Sequence, residues 1–524
     1  MKRINNLDRR ELLKSGGGFL AAAAVADGVP FARQGAPAAA NGSSNVYEAI
    51  GVRPLINCKG TFTIITGSLT LPEVKKAMDD ASRHFVHLDE LMEAVGARLA
   101  QLTGAEWGIV TAGCAAAMTA ATCACIAGGS PEKMQRLPGL EGLKDEVVIP
   151  KWSRNVYDHA IRMAGVRVLT PTSLETLEAA IGPRTAMVYI LAGPDDTGPF
   201  GLEPVAKIAR AHGVPVLVDA AAENLTPEVH LRRGADLVAY SGGKALRGPQ
   251  CAGLLLGRQD LCQAAWINSA PHHAFARSLK VGKEEIIGML TAVQMWYRRD
   301  HQVEWKTWEG WLAQIAGKVA SIQGVTTEVV QPDSLSNRTP SLKIKWDGSR
   351  LGVSGQEVFQ RLLNGNPRVQ LYGSTGTRRE KLQDSSVTVT AWMMQPGEAE
   401  TVARLLLEAL SSPSPASAPV KRPATLDLSG RWDAELVFMR GSEPHTLFLE
   451  QKDGRLGGTH CGEALRGKLE GWIEGDEVEF RSVQPTEATE LEFRFRGKAT
   501  PQSISGTVDL GEYGKANWTA QREV

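Results

Sequence analysis

Net charge, paired cysteines and a bilayer-spanning apolar run are all missing from this sequence. Lysine plus arginine equal aspartate plus glutamate at 58 each, so nothing in the charge balance favours a polyanion such as nucleic acid. The seven cysteines stand at positions 58, 114, 123, 125, 251, 262 and 461. An odd, scattered set makes no disulfide framework, and without a CxxC pair the usual zinc ligand pattern is absent as well. Most read as small buried apolar residues, and free thiols suit folding in a reducing compartment. The remainder is the composition of a globular protein with a large core, and 524 residues suggest two or three domains.

The first forty residues do not read as part of a fold. Asp8-Arg9-Arg10-Glu11-Leu12-Leu13-Lys14 precedes a weakly apolar Gly/Ala stretch from Gly16 to Ala26, and Ala38-Ala39-Ala40 supplies an A-x-A site. A charged head, a short apolar middle and a small-residue site make a secretion signal. Its apolar run is too short to span a membrane. The paired arginines followed by two leucines and a lysine resemble the twin-arginine export signal. That resemblance implies handling by the twin-arginine export machinery, folding before transit, and a periplasmic or secreted product. The mature chain is expected to start near Asn41.

From residue 41 to about 300 short apolar runs alternate with helical periods. Strands are expected at Trp107–Thr111, Met187–Leu191, Val214–Val218 and Leu237–Tyr240, and helices at Ala115–Ile126, Leu202–His212 and Lys283–Arg299. Near-continuous apolar strands between helices point to a mostly parallel sheet covered on both faces. Residues 301–410 read as a smaller α+β unit, with strands near Ser341–Trp346 and Ser386–Ala391 and a closing helix from Pro396 to Leu410. Residues 411–425 are Pro/Ser-rich and lack an apolar period, which marks a stiff linker. Residues 426–524 turn to short alternating segments, among them Leu447–Glu450, Val478–Arg481, Leu491–Phe495 and Ser503–Val508. These suggest a separate antiparallel barrel, similar to the lipocalin-like modules at the C-termini of exported bacterial enzymes. His445, His460 and Cys461 read as scattered surface or lining residues of that barrel, not as metal ligands.

The chemistry lies between Val214 and Gly257. One apolar strand ends at Asp219. A second ends at Tyr240 and leads into Ser241-Gly242-Gly243-Lys244-Ala245-Leu246-Arg247-Gly248-Pro249-Gln250. In an open α/β sheet the carboxyl ends of strands form the ligand crevice, so Asp219 and Lys244 are expected there together. Pyridoxal phosphate (PLP) needs this pair. A buried carboxylate keeps its ring nitrogen protonated, and a lysine holds its aldehyde as a Schiff base and later moves protons at Cα. Upstream, Thr111-Ala112-Gly113-Cys114-Ala115 forms a small turn into a helix, where free amides and the helix dipole suit a phosphate.

Residues 241–250, followed by Ala252-Gly253-Leu254-Leu255-Leu256-Gly257, resemble bacterial selenocysteine synthase (L-seryl-tRNA selenium transferase), and more closely the D-glucosaminate-6-phosphate ammonia-lyase-like branch of that superfamily. Ile56 to Thr61, Leu99 to Glu106, Lys151 to Ala160 and Arg277 to Glu284 carry the same likeness. The resemblance spans roughly residues 46–410. It implies PLP fold type I, a homodimer or larger assembly with sites at the subunit boundary, Lys244 as the Schiff-base lysine and Asp219 as the partner of the ring nitrogen. Gly113, Cys114 and Ala115, with Ser241, become the phosphate cup. Arg277 and Lys280, joined by Arg247, become the cations facing an anionic substrate; Lys280 stands where the family commonly has arginine. For ring stacking His159 is preferred over Tyr157 and Arg154.

The reaction expected is β-elimination from a 2-amino-3-hydroxy acid, such as an amino sugar acid, to a 2-oxo acid and ammonia. A transferase, aminotransferase or racemase of the same fold shares the first step. Group transfer on a seryl-tRNA is disfavoured because an export signal stands where those enzymes carry a tRNA-binding segment. A non-catalytic binding protein with a vestigial PLP domain is disfavoured because Asp219 and Lys244 are both present.

Overall fold

The computed structural model describes residues 45–376, 381–412 and 422–523. The export-signal reading and most of the linker reading lie outside the described residues. The chain divides at Pro54. Before it, the described residues hold a single 3-10 turn, Glu48–Ile50.

After it the body opens with a short strand, β1 (Leu55–Cys58). A seven-stranded sheet follows, made of β2 (Trp107–Thr111), β3 (Glu146–Val148), β4 (Arg167–Leu169), β5 (Thr185–Leu191), β6 (Val216–Asp219), β7 (Leu237–Ser241) and β8 (Gly253–Gly257). Their order is β2-β8-β7-β6-β5-β3-β4, and only β8 runs against its neighbours. Strand β5 is buried except at its last residue. Its unbroken apolar run is what a strand between two helical layers requires. The helix Cys114–Ala127 is buried on nearly every side. Seven alanines and a glycine-free, all-small first turn let it lie close on the sheet without a polar face.

The smaller unit holds β9 (Val325–Val330), β10 (Ser341–Trp346), β11 (Arg368–Leu371), β12 (Gly373–Thr375) and β13 (Ser385–Thr390). Four of these form an antiparallel sheet in the order β12-β13-β10-β9. The fifth, β11, pairs in parallel with β1, Leu55 opposite Arg368 and Cys58 opposite Leu371. Ile56 and Cys58 therefore join Val369, Val389 and Leu406 in one core. The smaller unit takes in residues from ahead of the large sheet, so in space it is not the contiguous 301–410 block of the sequence reading.

Eight strands from Gly430–Val437 to Lys515–Arg522 close the antiparallel barrel. Trp432, Phe480, Phe495 and Trp518 fill its interior. His445 and His460 line the barrel interior and do not lie on its surface. Both are buried, with Nδ1 of the first 2.7 Å from Nε2 of the second. Burial, aided by the neighbouring His445, pushes His460 down to about 3, so the pair is neutral at ordinary pH and serves the barrel core.

Glu487, in a barrel turn, reaches Arg154 of the large domain at 3.0 Å, although its own side chain is 78% exposed. The Arg154 side chain is 4% exposed, but it keeps Asp158 at 2.6 Å and Thr170 at 2.8 Å within its own domain, so losing Glu487 leaves no unpaired buried charge. A chain ending after Leu410 is therefore expected to stay soluble and loaded with cofactor, as read by sedimentation and visible absorbance. Loss of the cofactor from that chain would show that the barrel completes the large domain.

Candidate active site

Register across the sheet brings the chemistry-bearing residues to one edge. In β8, Gly253 lies opposite Thr111 of β2 on one side and Ser241 of β7 on the other. The turn at Gly113 and the loop through Lys244 therefore leave the sheet side by side. The approach is close: a Cβ on Gly253 would stand 2.6 Å from the Cys114 amide nitrogen. Two strands over, β6 ends at Asp219, opposite Ala239 of β7 and Leu191 of β5.

Asp219 is 2% exposed. It accepts from the Tyr189 hydroxyl at 3.0 Å, the Cys114 thiol at 3.5 Å and the Ala221 amide at 3.0 Å. Burial, reinforced by the charge of Asp219, raises both Tyr189 and Cys114 well above their usual ranges, with Lys244 opposing the shift at Cys114. Both side chains are therefore protonated donors. Among the described residues no cation forms an ion pair with Asp219. A buried carboxylate held only by neutral donors is costly, and a cationic ring nitrogen is the partner that would relieve it.

Lys244 is half-buried, and its amine has no hydrogen-bond or ion-pair partner among the described residues. The loop around it is tightly tied. Gly242 donates to Ala252 O and Gly248 donates to Gly242 O, each at 2.8 Å, and Arg247 donates to Lys244 O at 2.9 Å. Gly242 is required there, because a Cβ would stand 2.7 Å from Met289 Sδ and 2.8 Å from Ala252 O. At the helix Cys114–Ala127 no side chain caps the first turn, and Gly113, at φ +97°, borders open space. Its leading amides are left for an anion.

Two residues of this site were not singled out from sequence. Tyr189 stands alone among the aliphatic side chains of β5, and Asn155 donates to its hydroxyl at 3.0 Å. A lone tyrosine in a buried parallel strand is a signal that needs a polar partner, but naming Asp219 takes the strand order. Ser153 accepts from Leu191 N at 3.0 Å and fixes the Asn155 segment to the same strand.

The remaining candidates are spread more widely. His159 is exposed at the start of a helical turn that Thr119 ties to the helix Cys114–Ala127 through Ala160 O, at 2.7 Å. Tyr157 is exposed too. Arg154 is not free to stack, because its guanidinium binds Asp158 at 2.6 Å, Thr170 at 2.8 Å and Glu487 at 3.0 Å. Arg277 has a buried Nε without a partner, and Lys280 is exposed further along the same loop. Among the described residues no hydrogen bond ties Arg277 or Lys280 to the lysine loop. Arg247, at φ +54°, donates from Nε to Leu69 O at 3.0 Å. Its guanidinium lies near Arg299.

Fold and site together define a class, the PLP-dependent enzymes of fold type I. Comparison with known proteins narrows it. Residues 154–271 match the aminotransferase class-V family model. The chain is 30% identical to a D-glucosaminate-6-phosphate ammonia lyase of Salmonella typhimurium, over 61% of this chain and 87% of that one. It is 32% identical to a 5'-C-glycyluridine monooxygenase-decarboxylase of a Streptomyces species, over 70% and 92% respectively. It is 25% identical to an L-seryl-tRNA(Sec) selenium transferase of Moorella thermoacetica, over 70% of this chain and 84% of that one. A solved D-glucosaminate-6-phosphate ammonia-lyase superposes with a TM-score of 0.62 at 26% identity, over 70% of this chain and 98% of that one. The chain belongs to the family of PLP enzymes that these ammonia lyases and selenium transferases represent.

Proposed function

We propose that the protein is an exported lyase that removes ammonia from a 2-amino-3-hydroxy acid of the amino sugar acid kind. The observation that carries the reading is a buried Asp219 and a Lys244 amine, neither with an ion-pair partner among the described residues, at the carboxyl ends of neighbouring strands in a chain aligned over most of an ammonia lyase. Asp219 would hold the protonated ring nitrogen of PLP and Lys244 its aldehyde carbon. The amides of Gly113, Cys114 and Ala115, with the Ser241 hydroxyl, would hold its phosphate, and His159 would cover its ring. PLP when bound supplies the electron sink for the pair left at Cα.

The chain's own groups do the rest. Lys244 Nζ takes the proton from Cα and returns a proton to the departing 3-hydroxyl, which leaves as water. One water is taken up as the C2–N bond breaks, so the net products are a 2-oxo acid and ammonia. Arg277 and Lys280 would face the substrate's anionic groups. Tyr189 and Cys114 orient Asp219, and Asn155 orients Tyr189.

Purified protein incubated with D-glucosaminate, its 6-phosphate and a set of β-hydroxy amino acids is expected to release ammonia and 2-oxo acid in equal amounts from at least one amino sugar acid. Carbon dioxide release with oxygen uptake, and no ammonia, would move the chain to the chemistry named for its Streptomyces relative and end the lyase reading.

Tyr189→Phe tests the positioning role. The variant loses one donor to a buried carboxylate, a change of about 1.5–3 kcal/mol, so kcat is expected to fall roughly tenfold or more. Cofactor loading should persist, and the pH titration of the cofactor absorbance should shift. A lower melting temperature with an unshifted titration would make Tyr189 a packing residue only.

Export is supported by the Arg9-Arg10 motif and by the difficulty of loading PLP outside the cytosol. Replacing Arg9 and Arg10 with lysine is expected to leave active enzyme in the cytoplasm. Export of that variant at the parental level would reject the twin-arginine assignment.

A further inference from the structure

The turn that follows Asp219 is held from two sides. One hold is a buried acid. Glu223 is 5% exposed, and His230, in the short helix Pro227–Arg232, is 1% exposed. Glu223 Oε2 stands 2.6 Å from His230 Nε2. His230 Nδ1 has no partner among the described residues, so the imidazole donates from Nε2 to the carboxylate. Burial, and then the charge of Glu223, raise the Tyr240 hydroxyl well above its usual range. Tyr240 is the residue before Ser241 in β7, so the carboxylate lies within electrostatic reach of the strand that leads into the lysine loop.

The other hold comes from the smaller unit, through residues 335–337 between β9 and β10. Asn224 N donates to Leu335 O at 3.3 Å, and Asn337 N donates to Ala222 O at 2.7 Å. Between these bonds Glu223 faces Ser336 in an isolated antiparallel bridge. Inside the turn, Glu223 N donates to Ala220 O at 3.0 Å and Ala221 N donates to Asp219 Oδ1 at 3.0 Å. The turn is short, so a displacement of residues 335–337 would pass straight to the Ala221 amide and on to Asp219. The bond from Glu223 to His230 opposes that on the large-domain side. Burying a carboxylate and an imidazole is costly, and an apolar pair of the same volume would pack as well. What the hydrogen bond adds is direction, because it fixes where the turn sits.

We propose that Glu223 is a positioning residue for Asp219: hydrogen-bonded by His230, it fixes the turn whose Ala221 amide aims the Asp219 carboxylate at the ring nitrogen of PLP. The proposal rests on Asp219 as the partner of that nitrogen and holds for whichever reaction the enzyme performs. In this role Glu223 touches neither cofactor nor substrate and acts through Ala221 and Asp219.

The visible absorbance of bound PLP changes with pH and with the charge around its ring, so the full-length holoenzyme reports the effect without turnover. Asp219→Asn is the reference and should move this titration most. Glu223→Ala should load PLP, move the midpoint in the same direction by about half a pH unit or more, and turn over roughly tenfold more slowly. His230→Gln and His230→Asn carry one amide at two lengths. The glutamine nitrogen reaches the position of Nε2 and should keep the parental titration, whereas the asparagine nitrogen falls short and should behave as Glu223→Ala does. The His230 variants decide the question if Glu223→Ala fails to fold. A titration that moves in Asp219→Asn but stays parental in Glu223→Ala and His230→Asn, with only the melting temperature lowered, would overturn the positioning role and leave Asp219 in place. A titration that Asp219→Asn does not move would overturn both.

Discussion

Asp219→Asn is expected to bind PLP and to turn over at roughly one hundredth of the parental rate or less. Three donors converge on this side chain: the Tyr189 hydroxyl, the Cys114 thiol and the Ala221 amide. A carboxylate accepts all of them and still offers charge to a cation. An asparagine offers one acceptor oxygen, and its amide hydrogens would meet groups that are donors themselves. The ring nitrogen would lose its charged partner and the electron sink would weaken. Cofactor content from absorbance and kcat from ammonia release check both halves of the expectation. A near-parental rate would show that another group holds the ring nitrogen, or that the chemistry proceeds without its charge.

Lys244→Ala has the larger effect. It removes the only group proposed to move the Cα proton, so turnover should fall to background and the absorbance of the cofactor–lysine Schiff base should vanish. Folding should survive, because the Lys244 amine has no hydrogen-bond or ion-pair partner among the described residues and the loop is held by backbone bonds at Gly242, Arg247 and Gly248. A variant that melts like the parent but has neither colour nor activity places the loss in chemistry. Retained activity would remove Lys244 from the mechanism.

Much of the site was legible because its residues interrupt simple patterns. Asp219 ends an apolar strand, and Lys244 follows another through two glycines. Each position is where a parallel sheet presents side chains to a ligand. The helix Cys114–Ala127 was equally plain, since an alanine-rich run after a glycine turn has few other uses. What sequence could not show depends on pairing between distant segments. Gly253–Gly257 was not among the strands expected, and its reversed direction appears only when it is placed between β2 and β7. That placement sets Ser241 beside the turn at Gly113. Strand β1 pairs with β11 more than three hundred residues later, a contact that no local period signals. Tyr189 becomes a site residue only once β5 lies against β6 with Leu191 opposite Asp219. His445 and His460 meet because adjacent barrel strands bring them together.

The candidate substrate cations show the same limit. Arg247, Arg277 and Lys280 all lie in matching stretches of sequence. In the folded chain Arg247 faces a tryptophan-lined cavity, whereas Arg277 and Lys280 sit on a loop between the helices Gln259–Ile267 and Lys283–Trp296. Similar motifs thus mark candidate cations without saying which of them reaches a substrate.

The most direct test of the central claim is reduction of the purified, yellow protein with borohydride, followed by peptide mapping by mass spectrometry. The expected result is one modified peptide, carrying the reduced PLP adduct on Lys244, with loss of the visible band and of ammonia release in step with labelling. An adduct on a different lysine, or a protein that carries no PLP after purification and supplementation, would contradict the assignment of this site.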